Sequence, residues 1–469
     1  MPRRYFYLCL LLLVLVGLGV GGYVLYYRGY FSRDAEDGAE IARLAERQVG
    51  LPPVGDAAAG WFQWRGPTRD GRAPAGPFRT DWDKTPPRLL WAVSGLGGTA
   101  RPIGGGYSSP VVVGGRVFLQ DYHDGEERVV CLDAVTGKFL WEKSFPADYS
   151  GTDRTYATGP RATPAVEGNS LYVVSAAGEL LRIDYDDTAA RIVWRSDLLR
   201  EFDAPKPQWG VACSPLIEGP LVIVQPGGTR GSVAALDKNT GDIRWRAGSN
   251  PPGYSSPVAA TFNGVRTILA LTGDALLAVR ADDGTVTDSY DWKTRYNGNI
   301  ATPLVVDDYV FISSAYGQGS ALLRVESRNN GPRFVPVYAR RGRAFQNHHS
   351  SSVFLATGEK DRYLFGFDGQ AGSARLKCVN FDTGRDQEGW EADGLGTGSG
   401  TLILVDRHLV IQTERGELAL VEASPREFRL VARLPRVLSG RNNWSSPALV
   451  DGRLYLRDES KLVCYDVRP

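Results

Sequence analysis

The string small-x-Asp-x-x-Thr-Gly-x-x-x-Trp occurs twice in this chain. It runs as Cys131-Leu132-Asp133-Ala134-Val135-Thr136-Gly137-Lys138-Phe139-Leu140-Trp141 and as Ala235-Leu236-Asp237-Lys238-Asn239-Thr240-Gly241-Asp242-Ile243-Arg244-Trp245. Asp133 and Asp237 are placed to accept turn N–H groups, and Gly137 and Gly241 to take the positive φ of a hairpin. Trp141 and Trp245 are placed to fill the gap between neighbouring sheets, which the small Cys131 and Ala235 allow to approach. Each string follows a Ser-Pro step and an apolar run, Ser109-Pro110 with Val117-Phe118-Leu119 and Ser214-Pro215 with Val222-Ile223-Val224. Variants of the step start at Thr163-Pro164, Ser256-Pro257, Thr302-Pro303, Ser350-Ser351-Ser352, Ser399-Gly400-Thr401 and Ser446-Pro447. Starts spaced by about 40 to 55 residues predict an all-β, eight-bladed β-propeller with four strands per blade.

The final unit stops at Pro469, one strand short, whereas Leu89-Leu90-Trp91-Ala92-Val93 precedes the first complete unit and matches the strands that end in Trp141, Trp194 and Trp245. The expectation is a last blade completed by that N-terminal strand, which closes the ring and removes two open sheet edges. Seven blades is the competing count, because Thr401 to Leu434 lacks both the Pro and the Thr-Gly-Trp ending; the alternation in Leu402-Ile403-Leu404-Val405 keeps it as a blade.

Tyr5 to Tyr27 carries no charged residue, and at 1.5 Å per residue it spans roughly 34 Å, enough to cross a hydrocarbon core. It predicts a single-pass anchor over residues 5–27, with a cytoplasmic tip over 1–4, a stalk over 28–60 and the body, residues 61–469, in the periplasm. Lys+Arg at 54 against Asp+Glu at 53 leaves no global field for nucleic acid, so partners are recognised locally. Cys131, Cys378 and Cys464 fall at one repeat position and read as small buried hydrophobes. No cysteine pair has metal or redox spacing.

The repeated Asp-x-x-Thr-Gly-x-x-x-Trp string resembles the tryptophan-docking signature of the PQQ-like repeat β-propeller family, which includes quinoprotein alcohol dehydrogenases and BamB-like assembly factors. The lead-in Trp61-Phe62-Gln63-Trp64-Arg65-Gly66-Pro67-Thr68-Arg69-Asp70-Gly71 is similar to that of a membrane-anchored bacterial group within it. The resemblance implies an eight-bladed scaffold for a protein partner in the cell envelope, with outer-membrane assembly as the setting. It also implies an alternative, a PQQ- and Ca²⁺-dependent oxidoreductase or its degenerate descendant. Such an enzyme needs a carboxylate base, oxygen ligands for Ca²⁺ and an Arg near the quinone. Here no two cysteines are adjacent, and no Cys-x-x-Cys-His electron outlet exists. No cofactor and no metal site is therefore expected, and no catalytic residue is assigned.

The first strand of a blade lines the channel, so residues just before each step should ring its mouth. Tyr107, Arg161, Trp209, Tyr254, Asn299, His348, His349, Arg441, Asn443 and Trp444 form that candidate ring. These residue types grip planar or anionic groups, and aromatics around a rim also suit a carbohydrate or polymer. On a strand His348 and His349 would point to opposite faces, which argues against a shared metal.

Overall fold

Short apolar runs separated by turns cannot bury both faces alone, and here they do so by stacking into eight sheets around one axis. The computed structural model describes residues 60–94, 105–153, 159–328, 331–342 and 344–469, all within one unit. Blades 1 to 8 begin with the inner strands Val111–Val113, Ala165–Glu167, Leu216–Glu218, Val258–Phe262, Leu304–Val306, Val353–Ala356, Thr401–Val405 and Ala448–Val450. Each is followed outward by antiparallel neighbours in chain order. Blade 7 is a full four-stranded sheet despite its degenerate sequence. In blade 8, Arg88–Ser94 is the outer strand, pairing antiparallel with Lys461–Asp466 so that Trp91 stands opposite Cys464.

Blade 6 departs from the repeat. It has three strands, ending at Arg375–Asn380, and only a single bridge, Val379 to Asp386, where a fourth would begin. The chain then leaves the sheet and buries Trp390 on blade 7, where its Nε1 donates to Ser424 O at 2.7 Å.

The tryptophan string works in the way its residues require, with a direction the string does not disclose. Gly137 and Gly241 have φ of 69° and 80°, and Asp133 and Asp237 accept from the turn amides of Thr136 at 2.7 Å and Asn239 at 2.8 Å. Each docking Trp covers the turn of the following blade. Trp91 lies over Gly137, Trp194 over Gly241 and Trp245 over Gly284, so closely that a Cβ at those glycines would come within 2.6 to 2.8 Å of the ring. Their indole Nε1 groups donate to Ala134 O, Lys238 O and Ala281 O at 3.0 to 3.2 Å. A bulge in the outer strand pair of all seven four-stranded sheets sets this position, for example between Cys131 and Leu132 and between Ala235 and Leu236.

The Ser/Thr-Pro step has its own physical role. The amides of Ser109, Thr163 and Ser214 donate to the hydroxyls of Thr163, Ser214 and Ser256 on the next blade at 2.9 to 3.0 Å. Thr302 N–H donates likewise to Ser351, and Ser446 N–H to Ser109, which links blade 8 back to blade 1. A belt of hydroxyls thus satisfies amides that face the channel and have no strand partner.

The single-pass membrane placement is corrected. Among the described residues no helix is long and apolar enough to cross a membrane. The α-helix they contain, Leu198–Phe202, reaches about 8 Å where about 30 Å is needed. The anchor read over 5–27, with the tip and most of the stalk, lies outside the described residues.

Candidate functional site

Trp61–Gly71 is drawn into the channel by pairing with the inner strands. Trp61 bridges Val112 of blade 1, Phe62 O accepts from Val166 N–H of blade 2 at 2.9 Å, and Gly71 O accepts from Leu404 N–H of blade 7 at 2.9 Å. Two buried arginines lock it. Arg65 donates to Ser351 O and Ser352 O at 3.1 and 2.7 Å, and Arg69 to Ser214 O and Pro215 O at 3.0 and 2.9 Å. Both guanidiniums are met by neutral oxygens, and burial lowers their pKa values to about 10 and about 9. They stay charged near neutrality. Trp64 points onward and donates from Nε1 to Thr302 Oγ1 at 2.8 Å, so its indole forms part of the wall of the remaining channel.

A cavity of about 150 Å³ remains upstream of this plug. Tyr107, Arg161, Trp209, Tyr254, His348, His349 and Trp444 converge on it. Asn299, Arg441 and Asn443 do not. Asn299 is buried behind it, donating to Thr272 O and Trp292 O at 2.7 and 2.9 Å. Asn443 bridges Glu414 O and Gly440 O at 2.8 Å, and Arg441 is exposed. Trp64, Tyr316, Ser214 and Ser256 line the cavity as well. Trp64 was legible as part of an aromatic lead-in. Tyr316 gave no signal, because it comes from the loop between the second and third strands of blade 5.

The rings form a connected series from Tyr107 to Tyr254. Tyr107 meets Trp444 at 5.1 Å, Trp444 stacks on His349 at 3.8 Å and 17°, and His349 meets His348 at 4.0 Å. His348 then meets Tyr316 at 5.1 Å, Tyr316 meets Tyr296 at 5.8 Å, Tyr296 meets Trp209 at 6.1 Å, and Trp209 meets Tyr254 at 5.4 Å. Tyr296 and Tyr316 hold φ of 61° and 59°, a conformation that costs a bulky residue about 1–3 kcal/mol. The two histidines share the site because Gln346 to Ser352 is loop, not strand, so the expected alternation of faces does not apply.

His348 accepts from Ala371 N–H at Nδ1, 3.2 Å, which puts the proton of the neutral ring on Nε2, 2.9 Å from Tyr316 Oη. Burial lowers its pKa from 6.5 to about 4, and burial, His348 and Arg161 together hold His349 well below the usual range. The unfolded chain therefore takes up protons that the folded chain refuses between pH 6.5 and 4, and stability falls as pH drops through that window. We expect the stability advantage of wild type over His348→Asn, read from urea unfolding at pH 7 and pH 5, to shrink by about 2 kcal/mol. An unchanged difference would mean that His348 is solvated.

Arg161 lies 5.7 Å from the Tyr107 ring and donates to Gly159 O. Behind it Glu127 accepts from Tyr149 Oη at 2.6 Å and Ala176 N–H at 3.0 Å, and burial pushes it up to about 7. Glu414 accepts from Trp444 Nε1 at 2.9 Å and from Gly372 and Ser399 amides, which fixes the indole. Neither carboxylate lines the cavity.

PQQ with Ca²⁺ does not fit these residues. Ca²⁺ takes about six to eight oxygen ligands, carboxylates above all. The lining offers no carboxylate or amide side chain, and among the described residues no group of three or more His, Cys, Asp or Glu could hold a metal ion. One guanidinium also faces what would be a tricarboxylate.

Fold and site together define a PQQ-like repeat propeller whose channel is stopped by its own N-terminal lead-in. The family model described as outer membrane protein assembly factor BamB matches residues 80–197 and 155–375, and the chain belongs to this PQQ-like propeller family. It is 25% identical to the outer membrane protein assembly factor BamB of Kangiella koreensis over 221 residues, 45% of this chain and 49% of that protein. It is 26% identical to the quinohemoprotein alcohol dehydrogenase ADH IIB of Pseudomonas putida over 135 residues, 27% of this chain and 19% of that one. The matched stretch thus spans about half, or less, of those relatives. Among solved structures, quinohemoprotein alcohol dehydrogenase from Comamonas testosteroni gives a TM-score of 0.62 at 14% identity, covering 92% of this chain and 84% of that one. BamB from Moraxella catarrhalis gives 0.54 at 15% identity, covering 81% and 97%. At such identities the structural likeness is one of fold.

Proposed function

We propose that this protein is a non-catalytic scaffold that docks another protein at the mouth of its central funnel. The observation that carries the reading is the cavity itself: stopped at one end by Trp61–Gly71, walled by aromatic rings, and lined by no carboxylate. Its histidines are held neutral by burial, and His348 is engaged at both nitrogens, so neither is poised as a base near pH 7. A carbohydrate site sets amide or carboxylate side chains beside its rings to meet hydroxyl pairs, and this lining has neither. The assembly-factor name of the relatives makes a protein the partner in this reading.

A photo-crosslinking residue at Tyr254, compared with one on the outer strand at Val193, tests it in cells. A discrete protein adduct is expected from Tyr254 and not from Val193; adducts from the outer strand alone would overturn funnel docking. The purified protein given PQQ and Ca²⁺ should show no dye-linked alcohol or sugar oxidation. Turnover abolished by Arg161→Ala or His349→Ala would make the funnel an active site.

A further inference from the structure

Resting on the docking reading, we infer that the occupant of the funnel is the C-terminal residue of a partner protein, an aromatic side chain carrying its free α-carboxylate. Three features point to that chemistry. A cavity of about 150 Å³ is the size that accepts one benzene-sized ring, and Tyr254, Trp209 and the stacked pair of Trp444 and His349 line it.

The second feature is charge. Arg161 lines the cavity and makes no ion pair with a carboxylate among the described residues; the acid whose field reaches it, Glu127, is committed to Tyr149 and Ala176. Beneath Ser214 and Ser352, Arg69 and Arg65 are two more buried guanidiniums whose hydrogen bonds go to neutral oxygens, with the Asp70 carboxylate near Arg65. The lining itself carries one cation, Arg161, and no anion; Glu459 and Glu414 lie behind it, engaged by Tyr107 Oη and Trp444 Nε1, so an anion held beside the ring meets Arg161 directly.

The third is topology. The lead-in blocks the far end, so no chain can thread through, and one ring's worth of space leaves no room for a loop that enters and returns. An internal aromatic side chain would fill the space but leave Arg161 without its anion. A chain end satisfies both requirements.

The test uses the purified full-length protein and peptides labelled with fluorescein at the N-terminus, read by fluorescence polarisation. The peptide Gly-Ser-Gly-Gly-Phe with a free carboxylate is expected to bind at least about tenfold more tightly than its C-terminal amide or than Gly-Ser-Gly-Gly-Ala. In Arg161→Met the acid and the amide should come within about twofold of each other. Because the acid-to-amide comparison is made on the native protein, it does not depend on the variant folding. Equal binding of acid and amide overturns the inference. So does unlabelled 3-phenylpropionate competing as well as the unlabelled peptide, which would make the guest a free small molecule. A protein adduct at Tyr254 with no binding of any peptide would sink the chain-end proposal while leaving funnel docking standing.

Discussion

Deleting Arg88–Ser94 is expected to remove most of the propeller's stability. That strand is paired along its length with Lys461–Asp466, so its loss leaves blade 8 with an open outer edge. It also carries Trp91, which is buried, lies against Tyr455 at 5.9 Å and covers the Gly137 turn of blade 1. A buried Trp removed is worth about 3–5 kcal/mol. The ladder hydrogen bonds add about 1 kcal/mol each, against a net stability of about 5–15 kcal/mol for a typical domain. The same deletion removes one of the two bonds that pin blade 8 to blade 1, because Trp91 Nε1 and Tyr455 Oη both donate to Ala134 O, at 3.2 and 3.0 Å, and only the second would remain. Far-ultraviolet circular dichroism in a urea series reads the result directly. A midpoint unchanged from wild type would show that the strand is dispensable.

Trp245→Ala is the second large effect, expected at about 3–5 kcal/mol with the fold retained. Its ring is buried between blades 3 and 4, in a cluster with Ile268, Leu277 and Val279, and its Nε1 reaches Ala281 O at 3.0 Å. Truncation leaves a cavity over Gly284, whose φ of 77° and closeness to the ring prevent the turn from collapsing inward. Val193→Ala, on an exposed strand position, is the matched control and should change stability by less than about 0.5 kcal/mol. If Trp245→Ala unfolds at the wild-type urea concentration, the indole is not an inter-blade dock. The register also shows why not every blade needs this residue. Blade 4 places Asp288 there, and its carboxylate accepts from Phe334 N–H of blade 5 at 2.6 Å, while blade 5 places Tyr338 over Gly384.

The ring of candidate residues was legible where position in the repeat decided it. Tyr107, Arg161, Trp209, Tyr254, His348, His349 and Trp444 precede inner strands, where the chain enters the sheet at the mouth of the channel. The same rule did not hold for Asn299 and Asn443, whose short amides turn back to satisfy buried carbonyls, nor for Arg441, which is exposed. Blade 6 shows another limit. Phe381-Asp382-Thr383-Gly384 follows the repeat, but Arg385 to Trp390 does not form a strand, and its Trp is used from a loop instead.

What the sequence determined by itself is what a short window encodes: the turn chemistry of Asp133 and Gly137, the small residue at Cys131, the strand alternation, and from their recurrence the number of blades. Only the tertiary structure decided what those windows do to one another. That each docking Trp covers the next blade's turn, that step hydroxyls receive the amides of the preceding blade, and that Arg65 and Arg69 plug the channel are contacts between residues far apart in the chain. Local patterns set which face of a strand is apolar. Which neighbour that face meets depends on closing all eight sheets around one axis, and the funnel that results, with its rings, its single guanidinium and its stopped end, belongs to no one segment.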